Sequence, residues 1–351
     1  PRLDHLRLLA ACLVVAVNFI GLHPPAGKAI HFLLAPIRQG HTGVTLFFVL
    51  SGFLFTVISF KKSVSYPSFL LNRILRIYPL YTVGILSGMF MLGEFAYLNK
   101  VFRGAEWTWL TPYNIASAWS PFATPGAFIA NDYFAQLWSI SVELQFYLVF
   151  PILKIWFDRW GLRPLFVLIA ALIALRALYF TLYESVSDLA YYTMLGRSDQ
   201  FLIGMCLAAV YAENGTFNLP KKHLLASCVV LLFTLGVFDA FGGLQTKTRA
   251  LWIVWPTVEA AAWGYVLASY VSGGVNVASW AGKTLARLGE SSYSIYVWHV
   301  VVMFAVSDLF GLCRACPLSF GVLALYFAAI LAVVLVVAMA SYRLIESPFL
   351  R

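Results

Sequence analysis

The chain has 351 residues, of which 61% are hydrophobic and 11% charged, with a formal net charge of +9. A water-soluble domain carries roughly 25% charged residues, so this chain cannot solvate a surface of its own and its solvent is lipid. The positive balance does not argue for nucleic acid, because the loops of membrane proteins concentrate Lys and Arg to set orientation.

Apolar runs long enough to cross a bilayer, roughly 17–25 residues each, fall near 8–26, 41–60, 78–98, 133–157, 164–183, 199–213, 222–241, 250–271, 289–310 and 318–340. The sixth is the shortest. The first reads as a span and not as a cleaved leader, because it is long and lacks a small-residue cleavage site. Ten spans place both termini on one side, where fifteen Lys and Arg residues lie against eight on the other. That side is therefore the cytoplasm. The expectation is an all-α polytopic membrane protein forming one integral-membrane domain over 1–351. The segment 99–132, with Trp107, Trp109, Trp119 and three prolines, reads as an aromatic cap on the far side. Cys313 and Cys316 lie on that same side, where an oxidising compartment would let them pair. One C-x-x-C supplies too few ligands for structural zinc, and no metal is expected.

Several polar residues interrupt the apolar runs. Arg7 and Asn18 are eleven residues apart, which on a helix is three full circles plus about 20 degrees and a rise of about 16 Å. They share a face, one at the cytoplasmic mouth and one near mid-membrane. Taken singly, Arg7 is an interfacial anchor and Asn18 an interhelical hydrogen bond. Arg73 and Arg76, at i and i+3, meet on one helical face and make a fork suited to phosphate; positive-inside anchoring is the plainer alternative. Glu143 lies about ten residues into the fourth span, where a carboxylate costs roughly 2.5–3.5 kcal/mol and must be paired or functional. His299 is about eleven residues into the ninth. Arg176 lies inside the fifth. Glu346 sits at the cytoplasmic end of the tenth, where a structural salt bridge is expected.

Five stretches contain or flank these residues: GHTGVTLFFVLSGFLFT at 40–56, NRILRIYPLYTV at 72–83, QLWSISVELQFYLVFP at 136–151, LGESSYSIYVWH at 288–299 and SYRLIESPF at 341–349. Each is weak alone. In this order, with ten spans, the chain resembles the membrane acyltransferase-3 family of O-acyltransferases, of the type without an appended hydrolase-like domain. The resemblance implies transfer of an acyl group, acetyl foremost, from cytoplasmic acetyl-CoA or another acyl-CoA to a carbohydrate hydroxyl at the outer side of a bacterial inner membrane. It assigns Glu143, His299 and position 18 to catalysis and Arg7, Arg73 and Arg76 to the donor. His41, Ser139 and Tyr293 become candidate substrate contacts.

The family carries His at position 18, and this chain carries Asn. An amide takes no proton near neutral pH. Either the chain is an inactivated variant or it works without that base. His23 lies on another face of the helix. If the scheme holds, Asn18, Glu143 and His299 converge on one tunnel with the three arginines at its cytoplasmic mouth. The rival is a transporter or channel in which Arg7, Glu143, Arg176 and His299 line a permeation path.

Overall fold

The computed structural model describes residues 2–22, 34–61, 65–92, 135–246, 249–273, 278–310 and 319–349. The segment 99–132, His23, Cys313 and Cys316 lie outside these. The described residues contain helices and no strand. Ten helices of 18 to 27 residues account for the ten predicted spans: α1 (Arg2–Leu22), α2 (Thr42–Lys61), α3 (Tyr66–Leu92), α4 (Trp138–Trp160), α5 (Arg163–Tyr183), α6 (Met194–Asn214), α7 (Lys222–Ala240), α8 (Trp255–Gly273), α9 (Ser292–Leu309) and α10 (Phe320–Ser341). Eight are long and apolar enough to cross a membrane by length and composition. The other two, α6 and α8, carry buried charged residues, Arg197 and Asp199 on one and Glu259 on the other. The chain is an all-α integral membrane protein.

Two boundaries differ from the sequence expectation. Helix α3 begins at Tyr66 and runs through Pro79, so Arg73 and Arg76 lie within the helix and not ahead of it. Pro67 occupies its first turn, where a missing N–H costs nothing. Helix α6 extends to 194–214 because Arg197, which reads as a loop residue, is buried in its first turn.

The innermost packing joins α2 to α6 and α1. Without a hydrophobic driving force between helices in lipid, close approach rests on small residues. A Cβ on Gly52 of α2 would run into the Phe201 carbonyl, and one on Gly204 of α6 into the Val49 carbonyl. Phe201 stacks on Phe146 of α4 with ring centroids 4.0 Å apart. By contrast α5, α7 and α10 bury little of their surface and form the lipid-facing rim.

The first turns of α1 and the end of α10 share a face, called inner below. Tyr342, just past α10, is within electrostatic reach of Asp4, Arg76 and Glu290. A single π-helical turn, Tyr342–Glu346, follows α10. It turns Glu346 inward, where its carboxylate accepts a hydrogen bond from Ser294 and faces Arg76. The expected salt bridge is thus replaced by a hydroxyl contact, with no ion pair to Glu346 among the described residues.

Candidate active site

Two cavities open within the bundle, and Val44 and Tyr296 line both. The inner one is a slot of about 80 Å³. Its charged lining is Arg7 from α1, Arg73 and Arg76 from α3, and Glu143 from α4, three cations against one carboxylate. The outer one is larger, about 430 Å³, and includes Asn18, His41, Gln136, Trp138, Tyr191 and Tyr192 in its lining. Among the described residues it has no Lys, Arg, Asp or Glu.

Glu143 is held from two sides. It accepts hydrogen bonds from Ser51 Oγ of α2 and from Tyr147 OH one turn along α4, both at 2.6 Å. A carboxylate in this setting is stable only with such donors and nearby cations, and Arg7 and Arg73 both act on it electrostatically. Arg7 also pairs with Asp4 at 2.9 Å. The Arg73 guanidinium lies over the ring of Phe55, 5.0 Å from its centroid, and near Phe69 at 5.9 Å. Its Nε has no hydrogen-bond partner among the described residues. Tyr293 lines the slot, but its hydroxyl donates to the Ile77 carbonyl at 3.0 Å. It ties α9 to α3 beside Arg76.

The junction between the cavities is polar. Tyr296 OH contacts Ser139 Oγ at 2.6 Å and donates to the Gln136 carbonyl at 2.5 Å. Beyond it, Asn18 and His299 are paired. His299 Nδ1 contacts the Tyr296 carbonyl at 2.7 Å. A carbonyl only accepts, so this nitrogen carries the proton and Nε2 keeps its lone pair. Asn18 Nδ2 points at that lone pair from 3.3 Å and also donates to the Val14 carbonyl at 2.9 Å. The amide therefore covers the only unprotonated nitrogen of a wholly buried imidazole.

The predicted residues come together, but not as one tunnel. Glu143 and the three arginines share the inner slot, whereas Asn18 lies in the outer cavity with His299 behind it. Equal depth along the membrane normal does not decide lateral position, and Tyr296 stands between. Arg176 lines neither cavity: it is wholly buried, bonded to Asp199 Oδ2 at 2.7 Å and to the Gly196 carbonyl and Thr257 Oγ1 at 2.8 Å. Ser51, Tyr147 and Tyr296 are the site residues that sequence reasoning missed. Tyr147 carried a readable signal, one turn from Glu143 on the same face. Tyr296 stands three residues before His299, likewise on its face.

The site is thus a cationic slot back to back with a cavity whose described lining has no ionic side chain, inside a helical membrane bundle. The profile of the acyltransferase-3 family, described as an acyltransferase domain, matches residues 1–343, and the chain belongs to that family. It is 25% identical to the peptidoglycan O-acetyltransferase OatA of Listeria monocytogenes over 99% of its own length, which is 55% of that relative. It is 29% identical to the exopolysaccharide production protein ExoZ of Rhizobium meliloti, over 89% of the chain and 90% of the relative. Nodulation protein 10 of Rhizobium leguminosarum is 30% identical, over 86% and 82%. The chain thus spans about half the length of the listerial relative. No solved structure matches it.

Proposed function

We propose that the chain transfers an acyl group, acetyl foremost, from an acyl-CoA in the inner slot to a carbohydrate hydroxyl in the outer cavity, with the inner face in the cytoplasm of a bacterial inner membrane. The observation that carries this reading is the division of charge: three arginines around a narrow slot, and no ionic side chain among the described residues of the wider cavity behind it. Three guanidiniums suit the phosphates of a nucleotide thioester. The slot suits a thin chain. Between Arg7 and Asn18 the helix rises about 16 Å, a distance of the same order as extended pantetheine. Phosphates held at the mouth bring the thioester to the junction at Tyr296 and Asn18. The names of two relatives, a peptidoglycan O-acetyltransferase and an exopolysaccharide production protein, agree with a carbohydrate acceptor.

In this scheme Glu143 steadies the arginines and leaves a net positive slot. Ser139 and Tyr296 stand where the carbonyl oxygen of the thioester arrives. Attack requires a base to take the proton of the acceptor hydroxyl. Asn18 cannot serve, and it covers His299 Nε2, so the chain as it stands transfers slowly. The test is a binding titration of the detergent-solubilised chain with acetyl-CoA, repeated on Arg73→Gln/Arg76→Gln. Lost affinity in the variant supports the donor site. Unchanged affinity removes the arginines from it.

A further inference from the structure

We propose that the outer cavity is a site for a single uncharged pyranose ring, with His41 holding a ring hydroxyl and Trp138, Tyr191 and Tyr192 forming the wall it packs against. This rests on the acyl-transfer reading above and narrows its acceptor from carbohydrate to neutral sugar.

His41 is 4% exposed, and neither of its ring nitrogens has a hydrogen-bond partner among the described residues. Buried polar groups are ordinarily satisfied, and an unsatisfied one costs about 1–3 kcal/mol. Among the described residues nothing compensates for His41. Its ring meets Tyr191 edge-on at 5.6 Å and Phe238 at 6.0 Å, and it borders the outer cavity. Its position is fixed by the backbone: Gly40, the residue before it, lies so close to α1 that a Cβ there would strike the Leu13 carbonyl. A neutral imidazole offers one N–H and one lone pair. A sugar hydroxyl, which both donates and accepts, satisfies either.

The wall is held from behind. Arg197, 2% exposed, lies 4.5 Å from the centroid of the Tyr191 ring and 5.6 Å from that of Trp138. Its Nε donates to the Tyr191 carbonyl at 2.9 Å and its Nη1 to Thr45 Oγ1 at 3.0 Å. Thr45 in turn donates to Glu259 Oε2 at 2.7 Å. The arginine is thus balanced by a carboxylate inside the protein. A uronate or an amino sugar would meet no counter-charge on the described lining, and an unpaired charge buried there costs several kcal/mol. The C–H faces of a neutral pyranose instead pack on aromatic rings. The volume, about 430 Å³, falls within the roughly 300–1,000 Å³ of small-molecule sites.

The test is equilibrium dialysis of the full chain in detergent, without acyl donor. The probes are the methyl glycosides of glucose, galactose and N-acetylglucosamine, with glucuronate and glucosamine as charged counterparts. We expect at least one neutral glycoside to bind about tenfold more tightly than either charged sugar. We expect His41→Ala to weaken it about tenfold, and His41→Gln, whose amide also donates and accepts, to weaken it about threefold at most. Acetyl-CoA binding, unchanged in both variants, shows that they are folded. If His41→Ala fails to fold, His41→Gln and the neutral-against-charged comparison on the unaltered chain decide. The proposal is overturned if no neutral glycoside binds up to its solubility limit, if a charged sugar binds equally well, or if His41→Ala binds as the unaltered chain does. Acetyl-CoA binding that persists in any of those cases leaves acyl transfer standing; its absence from the unaltered chain tells against acyl transfer itself.

Discussion

The two cavities share Val44 and Tyr296 and differ in almost everything else. The inner slot concentrates three arginines and a carboxylate in a volume of about 80 Å³. The outer cavity, about 430 Å³, is lined by hydroxyls, the two amides of Asn18 and Gln136, an imidazole and aromatic rings. Charge is expensive within a bilayer, yet three guanidiniums line the inner slot, whereas among the described residues none lines the outer cavity. The difference also separates functional charge from structural charge. Arg176 and Asp199 are wholly buried, pair with each other at 2.7 Å, bond Gly196 and Thr257, and line neither cavity. Arg73 instead lines the inner slot, with its guanidinium over the ring of Phe55.

Four outcomes would break or sharpen this contrast. The largest effect is expected from Asn18→His. A positioned general base contributes about 10²–10⁴-fold; measured as label moved from acetyl-CoA to a carbohydrate, transfer should rise about 100-fold with donor affinity unaltered. If the Asn18 chain already turns over at ordinary enzyme rates and His adds nothing, the missing base is not the limit. Next, Arg73→Gln/Arg76→Gln should weaken acetyl-CoA about 100-fold, since charge-assisted hydrogen bonds are worth about 1.5–3 kcal/mol each. Sugar binding in the outer cavity should not move, and a parallel loss there would mean that the two cavities act as one. Third, Glu143→Gln leaves the cations of the slot without a carboxylate. Donor affinity should tighten about fivefold, near 1 kcal/mol, while transfer falls; weaker binding would make Glu143 a ligand of the donor. The smallest effect is that of salt. Raising it from 0.1 to 1 M shortens the screening length from about 10 to 3 Å, which should weaken donor binding about threefold and leave neutral glycosides untouched.

Much of the fold was legible because lipid imposes a simple demand of about 20 apolar residues per crossing, and all the runs but the sixth, 199–213, met it. The weakest, α6, hid its first turn because Arg197 reads as a loop residue until the partner that holds it, Thr45, comes from elsewhere in the chain. Arg73 and Arg76 were found through their i, i+3 spacing. Their place inside α3 was not, since the apolar run begins only at Tyr78, whereas the helix itself begins at Tyr66. Depth along the membrane normal can be counted from sequence, and it put Asn18, Glu143 and His299 at one level. Whether side chains at one level share a cavity depends on helix rotation and on which ring stands between them, and no periodicity reports that Tyr296 does. Ser51 escaped notice for the same reason: an isolated serine in an apolar helix usually bonds its own backbone, and only the position of α4 turns it toward Glu143.

The central claim is that the acyl group passes from the inner slot to the outer cavity, and sidedness tests it most directly. Proteoliposomes sorted by orientation would carry the Asn18→His chain. Acetyl-labelled acetyl-CoA would be supplied to one face and a neutral oligosaccharide to the other. Label should appear on the sugar only when the donor meets the face bearing Arg7, Arg73 and Arg76. Label transferred equally from either face, or only when donor and acceptor share a face, would contradict passage through the bundle.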